Sequence, residues 1–154
     1  MSGRLSESPA DVIRQLLVDL ATGAGTPYGT LPTDAGTWPI HVASRPENPD
    51  SLIVVLDTAG RSDGRLQISG EKQEHYGVQI LVRDPIFPTG WTKSNEIAIA
   101  LDEEVAYDNV AIGSNRYLVY SITRESGPFH LGNEEGTKRQ MFSLNLTTAL
   151  KQTV

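Results

Sequence analysis

The stretch VLDTAGRSDG, residues 55–64, carries the residue types in this chain that most suggest chemistry. An apolar strand that runs into Asp-x-x-Gly is where small GTPases hold magnesium and contact the γ-phosphate. Such enzymes also need the loop G-x-x-x-x-G-K-[ST], because its backbone amides and lysine bind the phosphate charges. No such loop precedes Asp57, and residues 132–138 have the wrong spacing and two glutamates. We therefore interpret Asp57 to Gly60 as a strand end that enters a polar turn.

Metal ligands are sparse in this sequence. His41, His75 and His130 fall on different predicted elements, without the i, i+4 pairing of a helical zinc site. The chain has no cysteine, which excludes disulfides, thiolate zinc sites and cysteine nucleophiles. The segment from Arg61 to Arg65 contains Asp-Gly, which is typical of a tight turn, and it lacks the oxygen ligands of a calcium loop. The sequence thus predicts no metal and no cofactor.

A catalytic set is equally hard to assemble. No serine occupies a G-x-S-x-G elbow between a strand and a helix. Asp102, Glu103 and Glu104 come near the end of a predicted helix, where they indicate a solvated face or an ion-paired contact with another subunit. We therefore predict that the protein is not an enzyme.

Composition limits the domain count and the partners. The 154 residues suit one domain, 1–154, with flexible ends at about 1–7 and 150–154. The formal charge of −6 argues against a broad phosphate-binding face, although a polyanion could move past such a surface without tight binding. No apolar stretch is long enough for a membrane span, so we expect a soluble protein that is cytosolic when it is made.

The periodicity predicts two helices. Ser8 and Pro9 are a favourable cap and first turn for a helix over residues 9–20, whose apolar residues form one stripe, and Gly23 supplies a stop. We interpret this stripe as the face that packs on a sheet, and a partner-binding face is the alternative. The glycine- and proline-rich residues 23–36 predict a long loop. A second amphipathic helix of about four turns opens near Thr89 and carries Ile97, Ala98, Leu101 and Val105 on its apolar face.

Strands are predicted at residues 38–43, 52–56, 74–83, 116–124 and 138–147. Residues 74–83 alternate as a half-buried strand does, with His75, Gln79 and Arg83 on the polar face. Loops too short for a crossover make neighbouring strands antiparallel. The fold class is therefore α+β, with an antiparallel or mixed β-sheet of 4–6 strands and two amphipathic helices packed on one face.

Several segments resemble the tail terminator (minor capsid) family of long-tailed bacteriophages. The strand YGVQILVR at residues 76–83 and the helix NEIAIAL at residues 95–101 carry most of the resemblance. The opening helix and the Pro49-Asp50 pair ahead of residues 52–58 add to it, so that it spans roughly residues 8–150. The proline-rich residues 84–88 and the segment 23–36 depart from the family pattern.

The resemblance implies a virion protein that forms a homo-hexameric ring on the head-proximal end of the tail tube. Its partners would be the tail tube protein and a head-tail connector or neck protein, and DNA would pass through the ring without tight or specific binding. By analogy, the predicted loops 58–72 and 125–137 are candidate subunit or tube contacts, with the alternative of solvated loop tips. Their charged candidates are Arg61, Asp63, Arg65, Glu134 and Glu135.

Pro85, Phe87, Pro88 and Trp91 form an apolar cluster. An exposed cluster of this kind marks a contact with another protein, while local packing over the helix start is the alternative.

Two other functions are alternatives to that of a tail terminator. One is a head-completion or neck protein on the portal side, and the remote one is a small nucleotide-binding enzyme that uses Asp57, Asp63 and the histidines.

Overall fold

A computed structural model describes residues 5–20, 28–33, 37–65, 72–103, 108–134 and 136–153. The side chains of residues 61–65 and 72–73 lie outside that description. The described elements, in chain order, are α1 (Pro9–Asp19), β1 (Ile40–Val42), β2 (Leu52–Arg65), β3 (Lys72–Asp84), α2 (Phe87–Glu103), β4 (Asp108–Ile112), β5 (Asn115–Asn133) and β6 (Gln140–Gln152).

The strands form one six-stranded sheet in the order β1-β2-β3-β6-β5-β4. β1 pairs with β2 in parallel, and every other pairing is antiparallel. The predicted α+β class with a mixed sheet is thereby confirmed. The placement of both helices on one face of the sheet stays a prediction. No helix in the described ranges is long and apolar enough to cross a bilayer.

Alternate residues of the central strands enter two separate hydrophobic clusters. The larger cluster joins buried side chains of both helices to strand residues that include Ile53, Ile80 and Leu144. The smaller cluster contains Leu52, Val54, Leu81 and Met141. Because successive strand residues point to opposite faces, the two clusters lie on opposite sides of the sheet.

Helix α1 begins where the sequence predicts. Ser8 is the N-cap, its Oγ accepts a hydrogen bond from Asp11 N, and the Asp11 carboxylate accepts one from Ser8 N, which is a capping box. The helix ends at Asp19, with Leu20 as its C-cap. The predicted stop at Gly23 lies outside the described residues.

Helix α2 begins at Phe87, two residues before the predicted start near Thr89. Asp84, which is buried, accepts a hydrogen bond from Ile86 N at 2.7 Å and so fixes the turn into the helix. Ile97, Ala98 and Leu101 are buried, as the periodicity predicts, and Val105 lies outside the described residues.

The prediction of exposed loops at 58–72 and 125–137 was wrong for most of their length. β2 continues to Arg65, β3 starts at Lys72, and β5 continues to Asn133, with residues 66–71 outside the described part. These stretches are polar and rich in glycine, yet they pair across β2–β3 and β5–β6 with several register shifts. Bulges of this kind let turn-forming residues sit inside a strand, which explains why local composition was misleading.

The antiparallel prediction was wrong for β1 and β2. They are joined by residues 43–51 and pair in parallel through Ile40–Ile53, His41–Val54 and Val42–Val55. The connection is short because the parallel ladder is only three residues long. Arg83 donates hydrogen bonds to three carbonyls of this connection, which holds it across the face of the smaller cluster.

The two ends of the chain contact each other. Ser6 N donates to Gln152 Oε1 at 2.8 Å, and Glu7 N donates to the hydroxyl of Tyr117 at 3.0 Å. β6 itself runs to Gln152. Residues 6–7 and 150–152, which the sequence places in flexible ends, are thus tied together at one end of the sheet.

Gly90 tests the fit of α2 on the sheet. A Cβ at this position would lie 2.6 Å from Phe142 Cε2, well inside contact distance. Helix propensity alone favours alanine over glycine by about 1 kcal/mol. We expect instead that Gly90→Ala lowers the free energy of unfolding by about 1–3 kcal/mol, because the ring must move. Urea denaturation measures it.

The matched control is Asn95→Ala, on the exposed side of the same helix. It should leave stability unchanged or raise it slightly. Equal stabilisation by both substitutions would contradict the tight helix–sheet contact at Gly90.

Candidate interaction surface

Asp57 caps a helix. It lies within β2, and its Oδ1 accepts a hydrogen bond from Ala10 N in the first turn of α1 at 2.9 Å. A carboxylate at a helix N-terminus satisfies a free amide and interacts favourably with the helix dipole. The prediction that Asp57 ends a strand was wrong, since β2 continues past Gly60. The side chain that resembled a nucleotide switch joins α1 to the sheet.

The three histidines remain apart in the fold, on β1, β3 and β5. In the described part of the chain, no group of three or more His, Asp or Glu side chains is placed to hold a metal ion. Burial lowers the pKa of His41, and the nearby positive charges of Arg14 and Arg83 lower it further. Both effects favour the neutral form of the His41 imidazole.

Asp102 has a partner in its own chain. Its carboxylate lies 2.9 Å from Nη2 of Arg124 on β5, which ties the end of α2 to the sheet. The intrachain pair supplies the ion-paired role that the sequence left open for a second subunit. Glu103 is exposed, and Glu104 lies outside the described residues.

Phe87 and Trp91 belong to an aromatic cluster at the start of α2. Phe87 packs against His130 and Phe142 with centroid distances of 4.9 and 5.2 Å, and Trp91 lies 6.2 Å from Phe142. Both rings remain substantially exposed, at 44% and 41%. The rings therefore pack locally over the helix start and still offer apolar surface, and their role as contacts stays a prediction.

More apolar surface lies next to this cluster along the chain, just before α2 and in the last part of β5. Ile86, Phe129 and Leu131 are exposed by 58%, 41% and 52%. Phe129 pairs with Ser143 and His130 pairs with Phe142, so Phe129 points to the opposite face of the sheet from the aromatic cluster. The far end of β5 consequently presents apolar groups on both faces.

The charged candidates fall into two places. Arg61, Asp63 and Arg65 lie along β2, beyond the pairing of that strand with β1, and only their backbone is described. Glu135 lies outside the described residues. Their role as contacts stays a prediction.

Glu134 lies at the centre of an arginine cluster. One carboxylate oxygen is 3.2 Å from Arg83 Nη1 and 3.3 Å from Arg45 Nε, and the other is 2.5 Å from Arg139 Nη2. Its side chain is only 12% exposed. A role for Glu134 in contacts with another protein stays a prediction, but most of its hydrogen-bonding capacity is used within the chain.

Arg83 was placed on the polar face of a half-buried strand, yet it is 1% exposed. Burial lowers the pKa of its guanidinium, and the hydrogen bond that Arg83 donates to Glu134 opposes that effect. Arg83 and Arg139 both donate to the carbonyl of Glu47 in the connection 43–51. Sequence reasoning missed this cluster because nothing near Arg83 in the sequence indicates that a distant segment covers it.

A second buried cation holds the segment before β1. Lys93 on α2 lies 5.8 Å from the Tyr28 ring centroid and 5.5 Å from that of Trp38, in cation–π geometry. Burial lowers the pKa of Lys93, and Glu96 opposes that shift. Lys93 is therefore a structural anchor.

The sheet leaves two long edges without a strand partner among the described residues. β1 pairs with β2 only as far as Val55, so the outer edge of β2 from Leu56 to Arg65 has no neighbouring strand. β4 pairs with β5 only as far as Val119. The carbonyl of Gly127 on β5 accepts a hydrogen bond from Arg124. From residue 128 to residue 133, the outer edge of β5 has no neighbouring strand among the described residues.

In the described part of the chain, the side chains that suggested chemistry serve as helix caps and ion pairs. The exposed features are strand edges and aromatic rings. This combination is typical of a protein that acts through contacts with other proteins.

A family model described as bacteriophage tail terminator protein matches residues 26–152. The match covers most of the chain, which therefore belongs to the bacteriophage tail terminator family, and the suggested resemblance is confirmed. The family is structural, so the chain is a structural phage tail protein. Among curated proteins, no sequence matches the chain.

Asp57 provides a test of the capping role. We expect Asp57→Ala to lower the free energy of unfolding by about 1 kcal/mol, because Ala10 N loses its acceptor. Asp57→Asn, which retains an acceptor oxygen, should cost less. Urea denaturation of both variants measures the difference, and an unchanged stability for Asp57→Ala would contradict the cap.

Glu134 provides a test of the arginine cluster. Its removal leaves Arg83 and Arg139 without their shared counter-ion, and we expect Glu134→Ala to cost about 3 kcal/mol of unfolding free energy. The control is Glu103→Ala on the exposed end of α2, which should change stability by less than about 0.5 kcal/mol. Similar small effects of both substitutions would show that the cluster does not hold the fold.

Proposed function

We propose that this protein ends the growth of a phage tail tube as a hexameric ring at the head-proximal end and joins the tail to the head connector. The family match over residues 26–152 carries this proposal. It establishes a tail terminator and structural role, and the sixfold ring and the connector contact are the steps that we add.

Two physical features support the added steps. A ring with cyclic symmetry needs two different surfaces on each subunit, because each copy contacts its two neighbours through unlike faces. The parts of β2 and β5 that lack a strand partner among the described residues offer two such surfaces, at opposite edges of one sheet. The aromatic cluster of Phe87 and Trp91 offers apolar surface for a further protein contact.

The proposed partners are further copies of this chain, the tail tube protein and the head-tail connector or neck protein. With a formal charge of −6, the ring would let DNA pass without tight or specific binding. We place the protein in the virion, in the tail or neck.

Addition of the protein to growing tail tubes tests the proposal. We expect it to cap one end of each tube and to shorten the tubes as its concentration rises, because a capped end adds no further subunits. Electron microscopy measures tube length and locates the cap. Native mass spectrometry should show six copies of the 16.8 kDa chain, about 101 kDa, on the tube end.

The location of this protein in complete phage particles distinguishes a tail terminator from a head-completion or neck protein. A label on this protein should lie next to the tube subunits; a position at the portal, with tube growth unaffected, would identify a head-completion protein instead.

Thermal denaturation with GTP, ATP, Mg²⁺ and Zn²⁺ distinguishes both structural roles from a nucleotide-binding enzyme. A bound ligand at 100 times its dissociation constant would add about 2.7 kcal/mol of stability, whereas we expect no change.

A further inference from the structure

The open edge of β5 has the properties of a strand acceptor. From Pro128 to Asn133 its outer backbone groups have no strand partner among the described residues. Such an edge binds an extended chain through main-chain hydrogen bonds, while side chains on both faces provide specificity. Here Phe129 flanks the edge on one face and Phe87 with His130 on the other. An added strand would therefore bury apolar surface on both of its own faces.

The open edge of β2 has complementary properties. Its first residues beyond β1 include Thr58, Ala59 and Gly60, which are small and exposed. Small side chains leave room for the large rings beside β5. The edge continues through Arg65, so it is longer than the six residues of β5 that it would contact.

Strand direction also fits. β2, β3, β6 and β5 alternate in direction across three antiparallel pairings, so β2 and β5 run in opposite directions. When two copies lie side by side in the same orientation and are shifted along the strands, β5 of one faces the open edge of β2 of the next. The resulting pair is antiparallel, which is the slightly more stable arrangement.

The two edges are staggered along the strands. Phe129 is aligned through β6 and β3 with Val54, and Gly132 is aligned with Leu52, in the part of β2 that β1 covers. The open part of β2 starts at Leu56, so the two edges meet only when neighbouring copies are shifted along the strands. A sheet that curves around a closed ring requires a stagger between strands. The offset of the two edges is therefore compatible with ring closure.

We propose that residues 128–133 of β5 pair with the outer edge of β2, residues 56–65, of a neighbouring copy. This inference rests on the proposed ring and identifies its subunit contact. The occupant is a second copy because one chain supplies both edges that lack a strand partner in its described part, at opposite edges of its sheet. Each copy then uses its two edges in head-to-tail contacts, and ring closure covers the open edge of β5 and part of the open edge of β2.

Paired cysteines test the contact, since the natural chain contains none. A cysteine at Thr58 or Ala59 is combined with one at Phe129, Leu131 or Asn133, and the rings on tube ends are oxidised. A disulfide requires Cα atoms about 4.4–6.8 Å apart. At least one combination should give a covalent ladder of up to six chains on a non-reducing gel. Single-cysteine variants should remain monomeric on the gel, because the β5 edge of one copy contacts the β2 edge of the next and two identical cysteines therefore never meet.

A short bismaleimide replaces the oxidant where the geometry of a disulfide is not met. Rings that form on tubes but give no ladder with either reagent would overturn the edge contact and leave the proposed function standing. A protein that neither forms rings nor affects tubes would overturn both.

A charge on the edge provides a second measurement. Leu131→Lys should raise at least tenfold the protein concentration needed for half-maximal capping of tubes, because a charged residue opposes strand pairing. The control is Ile99→Lys, which places the same charge at a similarly exposed aliphatic residue of α2. Circular dichroism verifies that both variants fold. Equal capping by both folded variants would contradict the proposal.

Discussion

The pairing of β6 with strands on both sides is the constraint on which the rest of the structure depends. β6 pairs with β3 from Gln140 to Ala149 and with β5 from Gln140 to Gln152, so it joins two hairpins into one sheet. Its apolar residues Phe142, Leu144 and Leu146 alternate into the larger cluster. A slip of one residue would turn all three to the opposite face. The register of β6 therefore sets the position of Phe142 under α2 and of Phe129 at the open edge.

Carboxylates serve the architecture of this protein. Asp57 connects β2 to α1, Asp102 connects α2 to β5, and Glu134 neutralises arginines that hold the connection between β1 and β2. Each links segments that are distant in the sequence. A chain without disulfides thus uses hydrogen bonds and ion pairs of carboxylates, in addition to its apolar core, to fix both helices and the β1–β2 connection on the sheet.

Much of the fold could be predicted from local patterns. The helix caps, the apolar stripes and the alternation of residues 74–83 all reflect physics that acts within a few residues. The sequence could not show that β2 and β5 continue through glycine, serine and proline. These residues have a low intrinsic preference for strands, and the hydrogen bonds to the neighbouring strand, which hold them there, depend on residues distant in the sequence. Phe87 and Trp91 were found from local composition. The burial of Arg83 and Glu134 was not, because it depends on a segment more than thirty residues away from Arg83.

The contact between Ser6 and Gln152 has a geometric consequence. Any tag, fusion partner or further polypeptide joined before residue 5 or after residue 153 leaves the domain from the same side. The β5–β6 connection and the first turn of α2 lie at the opposite end of the sheet. Probes attached to either terminus would consequently mark the same end of the domain within a larger particle.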